Sequence, residues 1–375
     1  MKLPPFELER YFAQYEFSSP YLLSCSDCES LSMEELLSRA DDEARNLWET
    51  LRLGYTESTG HPILREEIAG LYTEMQAENI LTLVPEEGIF IAVHTLLKPG
   101  DHIIATFPGY QSLYQIAQSL GCEVSYWKPR EETHWQFNAD EFEALFKRNT
   151  KLVVINFPHN PTGALIEKDV FSSIFEISEK HGSIVFSDEM YRFLEYDEED
   201  RLPSACDISG NAVSLFGMSK SFSLPGLRVG WLAAGNKSLL NDFATFKDYT
   251  TICSSAPSEV LALIALREKE TIITRNIGIL QKNLRLLKDF FRENEAHFQW
   301  TPPKAGPIGF AGLKGEIDSA AFCKDLREKM GVMLLPSTVY NYGNRHFRLG
   351  FGRKNFQGAL EKLSEYLINC SENCP

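Results

Sequence analysis

The sequence is poor in the features that would send a chain to a membrane, a nucleic acid or an oxidising compartment. No apolar stretch in the 375 residues is long enough to cross a bilayer. The start, Met1-Lys-Leu-Pro-Pro-Phe-Glu-Leu-Glu-Arg10, has no basic segment followed by an apolar run, so no secretory leader is expected and the protein is read as cytoplasmic. Positive charge is short: 37 Lys and Arg stand against 52 Asp and Glu, a formal net charge of -15. Phosphate backbones and anionic lipids attract basic surfaces, so neither nucleic acid nor membrane is an expected partner. Eight cysteines in a chain this long, without small-domain spacing, fit reduced thiols rather than a disulfide framework. Cys25-Ser-Asp-Cys28 and Cys370-Ser-Glu-Asn-Cys374 are the only arrangement reminiscent of a zinc site. They lie at opposite ends with no histidine pair, and no metal is expected.

What remains is an ordinary globular composition, 43% hydrophobic and 24% charged, with room for a large domain and a smaller one. Residues 33–52 and 62–72 read as helices around the loop Gly54-Tyr55-Thr-Glu-Ser-Thr-Gly60. From about residue 80, short apolar runs alternate with helical patterns. The runs are 101–107, 151–157, 182–188, 212–216 and 229–234, most of them apolar on both sides, as strands covered on two faces by helices are. The alternation predicts a doubly wound α/β layer, whose ligands bind in loops beyond the carboxyl ends of the strands. A long helical region over 257–291 leads to strand patterns at 297–301, 309–313, 332–335 and 346–350. With a helix over 319–326 and a final one near 356–367, these predict a small α+β domain. No internal repeat or low-complexity segment is present.

The stretch Phe216-Gly-Met-Ser-Lys220-Ser-Phe-Ser-Leu-Pro-Gly-Leu-Arg228-Val-Gly-Trp231 places a lysine among small and apolar residues and an arginine after a Pro-Gly turn. Burial costs a cation its hydration, so such a lysine holds its proton less tightly and its amine can attack a carbonyl. Arg228 supplies a permanently charged fork suited to phosphate. Together they suggest pyridoxal phosphate, although a solvated lysine and a structural arginine are the commoner fates of such residues.

The other strand ends add what a pyridine cofactor needs. Asp188 closes an apolar run and is costly to bury without a cation, which a protonated pyridine nitrogen provides. Asn160 and Tyr191 can donate to the ring's phenolic oxygen, and Tyr110 offers a flat face for stacking. Taken singly, Asp188 also suits a helix cap, Asn160 an Asn-Pro turn and Tyr110 an ordinary core position.

Asn160-Pro-Thr-Gly163, Ser187-Asp-Glu-Met-Tyr191 and Ser219-Lys220 with Arg228-Val-Gly-Trp231, in this order and spacing, resemble the class I/II aminotransferases of fold type I over nearly the whole chain. The resemblance implies a mainly parallel sheet sandwiched by helices over 46–285, and a small domain built from 1–45 and 286–375. It implies that Lys220 carries the cofactor as a Schiff base and shuttles the proton, that Asp188 pairs with the pyridine nitrogen, and that Asn160 and Tyr191 bind the phenolic oxygen. Tyr110 would stack, while Arg228, with Ser219, would hold the phosphate. Tyr55 would reach the phosphate of a neighbouring subunit in a homodimer with shared active sites, and Arg348 would grip the substrate's α-carboxylate. Substrates would be a small amino acid and a 2-oxo acid.

The sequence departs from the family pattern at the phosphate end. Leu83-Val84-Pro85-Glu86-Glu87-Gly88 stands where glycine and small residues usually open the phosphate-binding helix. Pro85 has no N–H and Glu86 brings a negative charge, yet both fall within the expected cofactor site. Gly217 takes the place of a common phosphate-binding serine, and Ser24-Cys-Ser-Asp-Cys-Glu29 lacks the usual small segment beside the substrate. Amino-group transfer is the expected reaction. Lyase, decarboxylase or cyclising chemistry at the same carbon is the alternative, and a non-catalytic ligand-binding protein is a third reading.

Overall fold

The computed structural model describes residues 2–372, with side chains through Asn369. Cys374 and the Cys370 side chain, half of the cysteine arrangement considered above, lie outside the described residues. Among the described residues no group of three or more His, Cys, Asp or Glu is placed to hold a metal, and no helix is long and apolar enough to cross a membrane.

Seven strands form the central sheet: β1 (Ile80–Leu83), β2 (His102–Thr106), β3 (Glu123–Trp127), β4 (Thr150–Asn156), β5 (Ile184–Asp188), β6 (Ala212–Gly217) and β7 (Gly230–Ala234), in the spatial order β1-β7-β6-β5-β4-β2-β3. Pairing is parallel from β3 through β6, and antiparallel where β7 meets β6 and β1. The expected apolar runs are all strands. Two strands escaped the sequence reading: β1 is only four residues long, and β3 is an edge strand exposed at Glu123, so neither shows a long apolar run.

Helix boundaries moved for local reasons. The pattern over 33–52 divides into Met33–Leu37 and Asp42–Glu49, because the Asp41 side chain caps the second helix by accepting from the Ala44 N–H at 2.8 Å. The region 257–291 divides at Glu268 into Ala256–Arg267 and Lys269–Glu293, and the helix read as 319–326 runs over Ser319–Met330.

A second, four-stranded antiparallel sheet is formed by β8 (Phe298–Trp300), β9 (Ile308–Leu313), β10 (Leu335–Pro336) and β11 (His346–Gly350) in the order β10-β11-β9-β8. Its core joins Leu23 and Cys28 from the start of the chain to Phe347, Leu349 and Leu363 near its end. The tie is tight: a Cβ at Gly350 would fall 1.9 Å from the Cys25 carbonyl oxygen, so only glycine lets β11 lie against residues 24–28. An N-terminal helix, α1 (Glu7–Tyr15), bridges the two sheets' layers. The Gln111 side chain accepts from the Glu7 N–H at 3.0 Å, the Tyr11 hydroxyl donates to the Leu334 carbonyl at 3.1 Å, and Leu8 is buried with Leu335, Val339 and Tyr340.

Candidate active site

The carboxyl ends of β4, β5 and β6 open into a cavity of about 620 Å³ that is closed from above by α1 and by residues 25–30. Every expected site residue except Tyr55 lines it: Tyr110, Asn160, Asp188, Tyr191, Ser219, Lys220, Arg228, Arg348, Pro85 and Glu86. Tyr55 is 90% exposed on the outer surface, so within one chain the fold does not bring it to the others.

Lys220 follows β6 by three residues and donates from Nζ to the Ser26 hydroxyl at 2.7 Å. Burial lowers its pKa against the opposing pull of Asp27, so the neutral amine is more accessible than in an ordinary lysine. Asp188, the last residue of β5, is 6% exposed, and burial lifts its carboxyl to about 7 although Oδ1 accepts from the Met190 N–H at 3.1 Å. A carboxyl in that state calls for a cationic partner.

The neighbouring strand end is locked to it. Asn156 donates from Nδ2 to the Asp188 carbonyl at 3.1 Å, and its Oδ1 accepts from the Asn160 N–H at 2.8 Å. Arg348, on β11 and 1% exposed, donates to the Asn160 Oδ1 at 3.2 Å, the Tyr340 hydroxyl at 2.6 Å and the Ser24 carbonyl at 2.8 Å. With its oxygen engaged, Asn160 offers a ligand its Nδ2–H. The Arg348 Nε and the hydroxyl of Tyr191, itself 2% exposed, are buried without a formed hydrogen bond, although Ser26 lies close to the latter. Orphaned buried donors of this kind are costly and point to a ligand.

The end lined by Pro85, Glu86, Ser219 and Arg228 is built differently. Arg228 has left-handed backbone geometry (φ 55°), is exposed, and donates from Nη1 to the Pro225 carbonyl at 3.1 Å. Pro85 opens the helix α2 (Pro85–Leu96), and its ring packs on the β6–β7 pair. A Cβ at Gly217 would lie 2.9 Å from the Gly230 Cα and 3.1 Å from the Pro85 Cγ, and one at Gly230 would lie 2.6 Å from that Cγ. The two departures from the family pattern are thus one packing arrangement, in which the proline ring occupies the space a serine at 217 would need. Glu86 accepts from the Ser112 hydroxyl at 3.1 Å, and burial raises its carboxyl to about 7, with Glu9 and Asp188 adding to the rise. Its protonated form removes the charge that would repel a phosphate, and the N–H groups of the first helical turn remain available to an anion.

Sequence reasoning missed Ser26, Tyr340, Arg353 and the two glutamates of the α1 segment, Glu9 and Glu16. Asp27 accepts from the Arg353 Nη2 at 2.9 Å, and Glu9 Oε1 accepts from the Tyr110 hydroxyl at 2.8 Å. These residues come from chain ends that meet the strand loops only after folding, so no local spacing announces them.

An amine of lowered pKa, a carboxyl awaiting a cation and a buried guanidinium with a free donor fit pyridoxal phosphate and define a pyridoxal-phosphate-dependent enzyme of fold type I. The comparisons with known proteins agree. The family model for aminotransferase class I and II matches residues 23–363, and the chain belongs to that family. A pyridoxal-phosphate-dependent aminotransferase from Streptococcus suis is 31% identical, superposes with a TM-score of 0.92, and is covered over 99% of its length by 98% of this chain. Capreomycidine synthase of Streptomyces vinaceus is 26% identical over 97% of this chain and 94% of its own. The pyridoxal-phosphate-dependent cyclase OrfR is 26% identical with a TM-score of 0.90, covering 98% of each chain. The protein is a pyridoxal-phosphate-dependent transferase.

Proposed function

We propose that this cavity moves an amino group between an amino acid and a 2-oxo acid, with Lys220 as the residue that carries the cofactor and relays the proton. The observation that carries the reading is the convergence of Lys220, Asp188, Asn160, Tyr191, Arg228 and Arg348 on one cavity from four separate stretches of chain. Pyridoxal phosphate, when bound, supplies an aldehyde that captures an amino group and a pyridinium that accommodates the electron pair left at the α carbon. Asp188 meets the pyridinium and thereby gains the cation its burial demands. Tyr191 and Asn160 offer O–H and N–H donors to the phenolic oxygen, Tyr110 covers the ring, and Arg228 and Ser219 take the phosphate. Arg348 holds the α-carboxylate, so the α C–H is presented to the Lys220 amine, which takes and returns the proton from Nζ.

The active unit in this reading is a homodimer. The exposed Leu53, Tyr55, Tyr249 and Ile252 support it. They sit on loops tied together by the Lys247 bond to the Ser58 carbonyl and by the Thr56 hydroxyl near the Ser254 carbonyl, and such an apolar surface is unusual on a monomer. Tyr55 would then complete the neighbouring subunit's site, and the compartment would be the cytoplasm.

A second reading is cyclisation at the same carbon framework, favoured by the likeness to capreomycidine synthase and OrfR over nearly the whole chain. The test is a panel of amino acids given to the holoenzyme with a 2-oxo acid acceptor. Equimolar oxo acid from the donor and new amino acid from the acceptor are expected. A cyclised product, or ammonia without acceptor turnover, would replace transfer with the second reading.

A further inference from the structure

We propose that the amino acid handled here carries a second, cationic group on its side chain, held by Glu9 and Glu16 on the face of α1 that closes the cavity. The inference rests on the assignment of the cofactor and carboxylate contacts above and concerns what they leave over. In that assignment each inner charge has a partner: Arg228 the phosphate, Asp188 the pyridinium, Arg348 the α-carboxylate, while the Lys220 amine spends its charge on the cofactor. Asp27 is already paired with Arg353 at 2.9 Å. Glu9 and Glu16 are the two carboxylates on the α1 side of the cavity, and neither has a cation bonded to it. Among the described residues neither forms an ion pair, and Glu9 receives only the neutral Tyr110 hydroxyl. A substrate with a neutral or acidic side chain would leave or worsen this excess of negative charge; an ammonium or guanidinium would cancel part of it.

The placement is built. Glu9, Phe12 and Glu16 recur at three- and four-residue spacing and so share one helical face, and all three line the cavity. The two carboxylates stand about 10 Å apart along the helix, with the Phe12 ring between them. A chain of methylenes lies on that ring, and its cationic end reaches a carboxylate. The helix itself is fixed on both sides, by Gln111 below and by Leu334 and Arg327 above, where the Arg327 guanidinium sits 3.6 Å over the Tyr15 ring. Burial, with the neighbouring Asp27 and Glu9, raises the Glu16 carboxyl's pKa against the opposing pull of Arg353 and Lys220. The buried Tyr191 hydroxyl and Arg348 Nε, both without a formed bond, show independently that this same cavity awaits a ligand. Helix α1 precedes residue 23, where the match to the family model begins, so the two carboxylates lie outside the stretch that model matches.

The test is spectral titration of the holoenzyme with isosteric pairs: lysine against 2-aminoheptanoic acid, and arginine against citrulline. The cationic member is expected to bind at least about tenfold more tightly, and the two pairs separate an ammonium from a guanidinium preference. In Glu9→Gln/Glu16→Gln that ratio is expected to fall toward unity, with the single variants showing which carboxylate carries more of it. Each variant serves as its own control through the neutral member of the pair. Equal binding within both pairs, a ratio unchanged in the double variant, or no binding of any of the four would each overturn the proposal. Product identification in the panel above decides transfer separately, so failure there and failure here are distinguishable.

Discussion

At the inner end of the cavity Asp188, Asn160, Tyr191 and Arg348 are all buried, hydrogen bonds between separate stretches of chain fix Asp188, Asn160 and Arg348, and Tyr191 and Arg348 each keep an orphaned donor. At the opposite end Arg228 is exposed, Pro85 offers no N–H, Gly217 offers no side chain, and Glu86 offers a carboxyl. The first region is specified by polar contacts that have one solution, the second by packing of a proline ring on two glycines. Chemistry at the α carbon demands exact alignment and so tolerates little change. Holding a phosphate demands only enough donors and positive charge, which several arrangements supply.

The comparison predicts that the inner end breaks activity and the outer end tunes cofactor affinity. Lys220→Ala is expected to lower turnover by about a thousandfold or more, and Asp188→Asn by about a hundredfold or more, both read as kcat with saturating cofactor. Arg228→Ala is expected to weaken cofactor binding ~10- to 100-fold, the size of one or two charge-assisted hydrogen bonds, with kcat at saturation largely kept; a kcat loss equal to that of Asp188→Asn would erase the distinction between the ends. Gly217→Ser should cost about 1–3 kcal/mol of stability by overpacking against Pro85 and Gly230. Adding Pro85→Ala should recover part of it in a double-mutant cycle of thermal unfolding, whereas strict additivity would break the link between these two positions.

The smallest effect is in pH. Asp188 and Glu86 have carboxyls raised to about 7 from ordinary values of 3.8 and 4.5. An acid whose folded pKa is raised contributes stability at low pH and loses it as pH rises through the folded value. The cofactor-free protein should therefore lose melting temperature from about pH 4.5 to above pH 7 relative to Asp188→Asn/Glu86→Gln. Cofactor should shrink the Asp188 part of that loss by pairing it. Glu86→Gln alone should tighten cofactor binding a few-fold above pH 7 and little below it.

How much was legible follows the same division. The strand ends announced themselves, because Asp188 at the close of an apolar run and Lys220 among small residues are chemically odd in a local window. The same local reading gave five of the seven central strands and missed β1 and β3, whose shortness and edge exposure hide them. The Pro85 and Gly217 departures were visible as oddities, but their common cause was not, since residues 85, 217 and 230 meet only across the sheet. Ser26 was visible only as part of the Ser24–Glu29 stretch placed beside the substrate, and Glu9 and Glu16 carried no signal at all: an N-terminal helix reads as an ordinary amphipathic segment until the fold lays it over the cavity.

The most direct test gives the holoenzyme a ¹⁵N-labelled amino acid with an unlabelled 2-oxo acid, for the wild type and Lys220→Ala. The account predicts label in the new amino acid, matched by oxo acid from the donor, and loss of both in Lys220→Ala. Label transfer persisting at the wild-type rate in Lys220→Ala would contradict it.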